Sequence, residues 1–319
     1  MLTLRIVAGI VSVCAMFLWA GMSSAQDFPN KPIRIITTAA GGGSDTTVRI
    51  IGPGIAATLG QPIVVDNRPN GFIAAETVAK STPDGYSLLV TGGSLWILPL
   101  LRKTAYEMSE FAAVSLVEWS INMVAVHPSL PVKNIKELIA LAKSQPGALN
   151  YASDAVGGRA HLATELFKSM TGVNMVVVTY KGNSPAITSL LGGETQVMFT
   201  DVSLLSPHVK AGKLRGLAVT SLGPSPMAPG MPTVSESGVP GYETAGMTGM
   251  YAPAKTPAPV INRISQEVAR FMARPEIKER FLKAGVEAMG STPEHFAAAI
   301  KSDIARVSKV IKDAGIKAE

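Results

Sequence analysis

Two segments of the 319-residue chain run from a strand-like stretch through a glycine loop into a helix start. The first is Ile35-Ile36-Thr37-Thr38-Ala39-Ala40-Gly41-Gly42-Gly43-Ser44-Asp45; the second is Tyr151-Ala152-Ser153-Asp154-Ala155-Val156-Gly157-Gly158-Arg159-Ala160-His161-Leu162. The chemistry such turns offer is anion binding. Glycines let ligand atoms approach the backbone, and the unsatisfied N–H groups at a helix start favour a carboxylate or phosphate. The competing role is an ordinary strand–helix turn with Ser44 or Asp45 as its N-cap. The first loop is not a P-loop, because no Gly-Lys-Ser/Thr follows, and it lacks the G-x-G-x-x-G order of dinucleotide sites. Arg159 either adds a bidentate contact to a carboxylate or stands as a solvent-facing first-turn arginine. Thr91-Gly92-Gly93-Ser94 and Thr200-Asp201 end two further strands. Hydroxyls there can donate to an anion, while Asp201 accepts from a ligand hydroxyl or amine or caps the following helix.

Catalysis has less support. Ser94, His161 and Asp201 supply the residue types of a hydrolytic triad, but no G-x-S-x-G elbow is present, and a histidine in a helix's first turn commonly packs or caps. The four histidines, His127, His161, His208 and His295, show no H-x-x-x-H spacing, which argues against a zinc enzyme. A binding protein without cofactor or metal is expected.

The elements that must position these loops alternate. Strand-like runs occur at Ile33–Thr38, Ile63–Asp66, Ser87–Thr91, Asn122–Val126, Leu149–Ala152, Met175–Tyr180, Gln196–Phe199 and Leu214–Thr220, with helical patterns between them. Several runs are continuously apolar, as a strand covered on both faces requires, so the class is α/β with parallel crossovers. Helix starts are signalled by Ser44-Asp45, by Asn134 and by Pro293-Glu294. Gly52-Pro53-Gly54 predicts a kink or early stop in the first helix. A Pro-rich turn, His127-Pro128-Ser129-Leu130-Pro131, and a loop-like stretch from Gly223 to Gly249 divide the chain into two lobes, crossed between twice. The helical segment from Pro257 to Glu319 is expected to pack on the first lobe's sheet.

Composition narrows the class. A 47% hydrophobic and 16% charged chain is neither disordered nor a disulfide scaffold. The net charge of +6 is spread without a basic arm, so no nucleic-acid partner is expected. Arg5, the apolar run Ile6–Ala20 and the small-residue segment ending Ser23-Ser24-Ala25 form a signal peptide cleaved after Ala25, placing the mature protein in the periplasm. The single cysteine, Cys14, lies inside that leader, so disulfides and cysteine chemistry are excluded from the mature chain.

The chain also resembles a family, the Bug-type periplasmic solute receptors of tripartite tricarboxylate transporters, over essentially its whole mature length. The marks are Lys31-Pro32-Ile33, the glycine loop with Asp45 and Arg49, Leu59-Gly60-Gln61, Asp66-Asn67-Arg68-Pro69, Thr82-Pro83-Asp84-Gly85-Tyr86 and His127-Pro128-Ser129-Leu130-Pro131. Later marks are Tyr151-Ala152-Ser153, His161-Leu162, Tyr180-Lys181-Gly182, Leu191-Gly192-Gly193, Pro232-Thr233, Glu236-Ser237-Gly238 and Ala252-Pro253. The resemblance implies a two-lobed type II periplasmic binding protein, of Venus-flytrap form, with lobes at 26–126 plus 248–319 and at 127–247. It implies a monomer that captures a small carboxylate (a di- or tricarboxylate, or an aromatic one) and hands it to the transporter's membrane components. A receptor feeding a membrane sensor is the alternative, and a periplasmic hydrolase a weaker one. Carried over by position, the ligand residues are Thr38, Ala39, Gly42, Gly43, Ser44, Asp45, Thr91, Ser94, Gly157, Gly158, Arg159, Ala160, Thr179 and Asp201.

Departures from the family bear on the ligand. Thr37 replaces a proline, Gly158-Arg159 replaces a serine, Asn70-Gly71-Phe72-Ile73 follows Arg68-Pro69, and Met247-Thr248 stands where a bulky aromatic is common. A second anionic group, or a larger or aromatic carboxylate, recognised with help from Arg159, is the expectation.

Overall fold

A computed structural model describes residues 28–316. In the first lobe β1 (Ile33–Thr37), β2 (Ile63–Asn67) and β3 (Ser87–Gly92) run parallel, connected by α1 (Gly43–Leu59) and α2 (Gly71–Ala79), with α3 (Ser94–Leu101) following β3. Ile33, Ile35 and Ile36 are all fully buried, because helices cover both faces of the strand. β4 (Phe111–Val126) then carries the chain across. The second lobe contains α4 (Ile135–Ser144), β5 (Asn150–Ser153), α5 (Arg159–Thr171), β6 (Val176–Thr179) and α6 (Asn183–Gly192). It continues with β7 (Val197–Asp201), α7 (Val202–Lys210) and β8 (Arg215–Val219). The chain returns through β9 (Ala245–Pro253) and closes with α8 (Ala258–Met272), α9 (Pro275–Lys283), β10 (Glu287–Ala288) and α10 (Pro293–Asp313).

The strand order is β2-β1-β3-β9-β4-β7-β5-β6, with β8 and β10 also paired to β4. β4 pairs antiparallel with β9 from Phe111↔Pro253 to Ile121↔Ala245, then from Asn122 onward with β7 and β8. Each lobe's sheet is flanked by two apolar clusters, so each has its own core. The chain crosses between the lobes twice, along β4 and between β8 and β9.

Several local expectations change. β4 starts at Phe111 rather than Asn122, and Ala245–Gly249, read as loop, belongs to β9. The parallel crossovers hold within each lobe, but the two crossing strands are antiparallel to their neighbours. α1 runs through Pro53 to Leu59 without an early stop. Pro53 is exposed, and Gly54 packs beneath Phe271, where a Cβ would overlap the ring, so tertiary contact overrides the local breaker. The N-cap of α1 is Gly42, without a side-chain cap bond; Asp45 lies in the first turn instead. Asn134 does cap α4, accepting from Glu137 N, and Thr292 caps α10 ahead of Pro293. α8 and α10 pack on the first lobe's sheet, but α10 also meets α5 of the second lobe through Leu162, Val307 and Val310. The signal peptide, with Cys14, lies outside the described residues, among which no helix is long and apolar enough to cross a membrane.

Candidate functional site

A cavity of about 670 Å³ opens between the lobes, beyond the carboxyl ends of their parallel strands. Of the residues expected from sequence, Thr38, Gly43, Ser44 and Ser94 line it from the first lobe, and Gly157, Gly158, Arg159 and Asp201 from the second. Ala39, Gly42, Asp45, Thr91, Ala160 and Thr179 do not line it. Ala39 and Gly42 close the first loop on itself, Gly42 N donating to Ala39 O at 3.1 Å. Ala160 is buried in the first turn of α5, and Thr179 is exposed at the end of β6.

Asp45 acts from behind the loop. Its carboxylate accepts from Gly41 N at 2.9 Å, Asn67 Nδ2 at 2.8 Å and Arg49 Nε at 2.9 Å. The Arg49 guanidinium, with Asn67 and Gly41, holds its pKa down to about 2. The carboxylate therefore stays ionised and pins the glycine turn.

The first lobe brings three helix starts together. α1, α2 and α3 each follow a parallel strand, and a Cβ added at Gly71, the first residue of α2, would stand 3.2 Å from Thr91 Oγ1, 3.3 Å from Ser94 Oγ and 3.7 Å from Thr38 Cγ2. Thr91 is 1% exposed, and its hydroxyl has no hydrogen-bond partner among the described residues. The starts of α1 and α3, with Thr38 and Ser94, therefore present orphan amides and hydroxyls to one end of the cavity, a setting for an anion, while Thr91 lies sealed behind them.

The second loop is arranged differently. Gly157 N donates to His161 Nδ1 at 2.9 Å, and Gly158 N to Ala155 O at 3.2 Å. His161 is buried against Tyr151, and burial lowers its pKa, so the imidazole is neutral with Nδ1 as acceptor. That contact removes His161 from any triad with Ser94 and Asp201. Arg159 donates to Ser120 Oγ at 2.5 Å and pairs with Asp201 Oδ1; Asp201 stands at the N-cap of α7, but its side chain makes no cap bond.

The floor comes from the crossing strands, whose roles sequence reasoning missed. Glu118 and Ser120 project from β4, and Gly246, Met247 and Thr248 from β9. Glu118 accepts from Thr47 Oγ1 at 2.5 Å, and burial raises its pKa against the effects of that bond and of nearby Arg159. A Cβ at Gly246 would overlap the Arg159 guanidinium, so that glycine is required by the packed arginine. The far wall was also missed: Trp96 Nε1 donates to Asp303 Oδ2 at 2.7 Å, Asp303 pairs with Arg306, and Arg306 donates to Glu243 O at 2.7 Å. The i,i+3 spacing of Asp303 and Arg306 was the available signal, but their approach to Trp96 depends on long-range packing. Among the described residues no cluster of His, Cys, Asp and Glu is arranged to hold a metal ion.

Two α/β lobes joined by paired crossing strands, with a cavity at the strand ends between them, define a periplasmic binding protein of the two-lobed, type II class. The chain belongs to the tripartite tricarboxylate transporter receptor family, whose model matches residues 47–316. It is 32% identical over 301 residues to the protein BugT of Bordetella pertussis, covering 92% of each chain. Its structure is similar to a Rhodopseudomonas palustris protein solved with adipate, at 34% identity and a TM-score of 0.75, covering 91% of this chain and 99% of that one. It is also similar to the periplasmic binding protein BugD, at 31% identity and a TM-score of 0.71, covering 92% and 100%. The family is one of periplasmic solute-binding receptors, not of enzymes.

Proposed function

We propose that this chain is a periplasmic receptor that captures a carboxylated solute between its lobes and delivers it to the membrane components of a tripartite tricarboxylate transporter. The observation that carries the reading is that the starts of α1 and α3, through Gly43, Ser44, Gly93 and Ser94, line one end of the cavity together with Thr38. A carboxylate there accepts from Ser94 Oγ and from the first amides of α1 and α3. Gly43 and Ser44 offer the amides of α1, and Asp45 keeps their loop in shape.

The lobes move about the two crossings, at Ile121–Asn122 in β4 and Thr244–Ala245 at the start of β9, each a few residues earlier in the chain than the boundaries read from sequence. Closure is selected because the bound solute touches both lobes, and only the closed form presents the surface a transporter recognises. The chain works as a monomer, holds one solute and releases it unchanged.

A thermal-unfolding screen of the mature chain against organic acids and their neutral amides tests this. The midpoint rises with an acid and not with its amide, because a ligand bound only to the folded state stabilises it by mass action. Equal shifts with acid and amide, or turnover of the added compound, would refute the reading.

A further inference from the structure

The first-lobe helix starts gather several donors at one end of the cavity, and elsewhere the polar lining includes the neutral hydroxyls of Ser120, Ser203, Thr244 and Thr248. The second-lobe loop already holds an acid of its own: the Asp154 carboxyl, its pKa raised by burial, lies where a Cβ at Gly158 would meet Oδ1 at 2.6 Å, at the N-cap of α5. Two of that loop's amides are also spent, on His161 Nδ1 and Ala155 O. The described residues lining the cavity include two cations, Arg159 and Arg306, and both are committed: Arg159 to Asp201 and Arg306 to Asp303 and Glu243. Glu118 adds a further acid with no cation in salt-bridge contact among the described residues. A second ligand carboxylate would find further acids beside it and, among the described lining residues, no unpaired positive charge.

The remainder of the wall is apolar. Ile97 and Leu101 of α3, Val156 of the second loop, Leu162 and Leu166 of α5 and Val307 of α10 line it. Ile97, Leu101 and Leu166 are partly exposed, and Val156 is 48% exposed, so they offer surface that a ligand can cover. Burying an ionised group against such a surface without a partner is strongly unfavourable, while burying a hydrocarbon there is favourable.

We infer that the solute is an amphiphilic monocarboxylate, its single carboxylate at the first-lobe helix starts and its aliphatic or aromatic body along the α3–α5–α10 wall. This rests on the receptor reading above and narrows it. It separates this chain from its relative solved with adipate, a dicarboxylate. It also replaces the expected second anionic group, because Arg159 is already paired.

Calorimetric titration of the mature chain with octanoate and 4-phenylbutanoate, against suberate and adipate, provides the test. The monoacids bind at least about tenfold more tightly than the diacids. Leu166→Lys, which sets a cation on the apolar wall, tightens suberate by about tenfold and leaves octanoate no tighter. Diacids binding as tightly as the monoacids to the wild-type chain would overturn the inference while the receptor reading stands. A chain that binds none of the four but is stabilised by another acid, such as citrate, would overturn it in the same way. A chain stabilised by no acid at all would overturn both.

Discussion

Thr91→Val separates folding from binding, because the hydroxyl it removes is sealed behind the cavity and outside its lining. Thr91 lies in β3, 1% exposed, and its hydroxyl has no partner among the described residues. Valine has nearly the same shape and suits a buried strand, so the substitution removes an unsatisfied polar group without opening a cavity. A buried hydroxyl without a partner costs about 1–3 kcal/mol, so the variant gains stability of that order. For a chain this long each kilocalorie per mole is worth roughly 2–4 °C at the midpoint, and a rise of a few degrees follows. Binding is unchanged, because a carboxylate held by Ser94 and the first amides of α1 and α3 makes no contact with a hydroxyl outside the lining. The assay is a thermal melt of both proteins without ligand, then a calorimetric titration with the tightest-binding acid. A lower midpoint would refute the reasoning by showing that the hydroxyl has a structural partner, and a loss of affinity of about tenfold would show that the carboxylate reaches Thr91.

Three further perturbations probe the surroundings. Asp45→Asn removes a carboxylate held down to about 2 by Arg49, Asn67 and Gly41. Because the folded-state pKa is depressed, the wild-type advantage is full above about pH 4 and is lost as pH falls through about 2, read as urea midpoints across that range; a gap undiminished in strong acid would contradict the assignment. Asp303→Ala removes the 6%-exposed carboxylate's contacts with Trp96 and Arg306. Because Arg306 is partly exposed and keeps Glu243, the cost is about 1–3 kcal/mol rather than that of a fully buried pair, and tryptophan emission shifts as the indole loses its acceptor. Gly249→Ala places a Cβ against the fully buried Phe296 ring and destabilises by about 1–3 kcal/mol in a denaturant melt, whereas neutrality would mean that the ring can move aside.

The fold was legible where the chain obeys simple periodicity. Ile33–Thr37 and Val197–Phe199 are apolar without a break because both faces of their strands are covered, and the order of strands and helices followed from them. β9 was hidden because Gly246 and Gly249 weaken its strand signal, yet both are demanded by neighbours far away in sequence, Arg159 and Phe296. The first half of β4 was hidden by Glu118 and Ser120, which interrupt the apolar run because they face the cavity. At the site, glycine loops announced the anion-binding end, since their backbone geometry is local. The apolar wall and the pairing of Arg159 with Asp201 gave no signal, because α3, α5 and α10 meet only in the folded chain.

The receptor claim is tested most directly by titrating the mature chain with octanoate and with octanamide in the same calorimeter, and recovering the acid afterwards. The account predicts one site per chain for the acid, an amide at least about a hundredfold weaker, and acid recovered unchanged. Equal affinity for acid and amide, or an acid that is consumed, would contradict it.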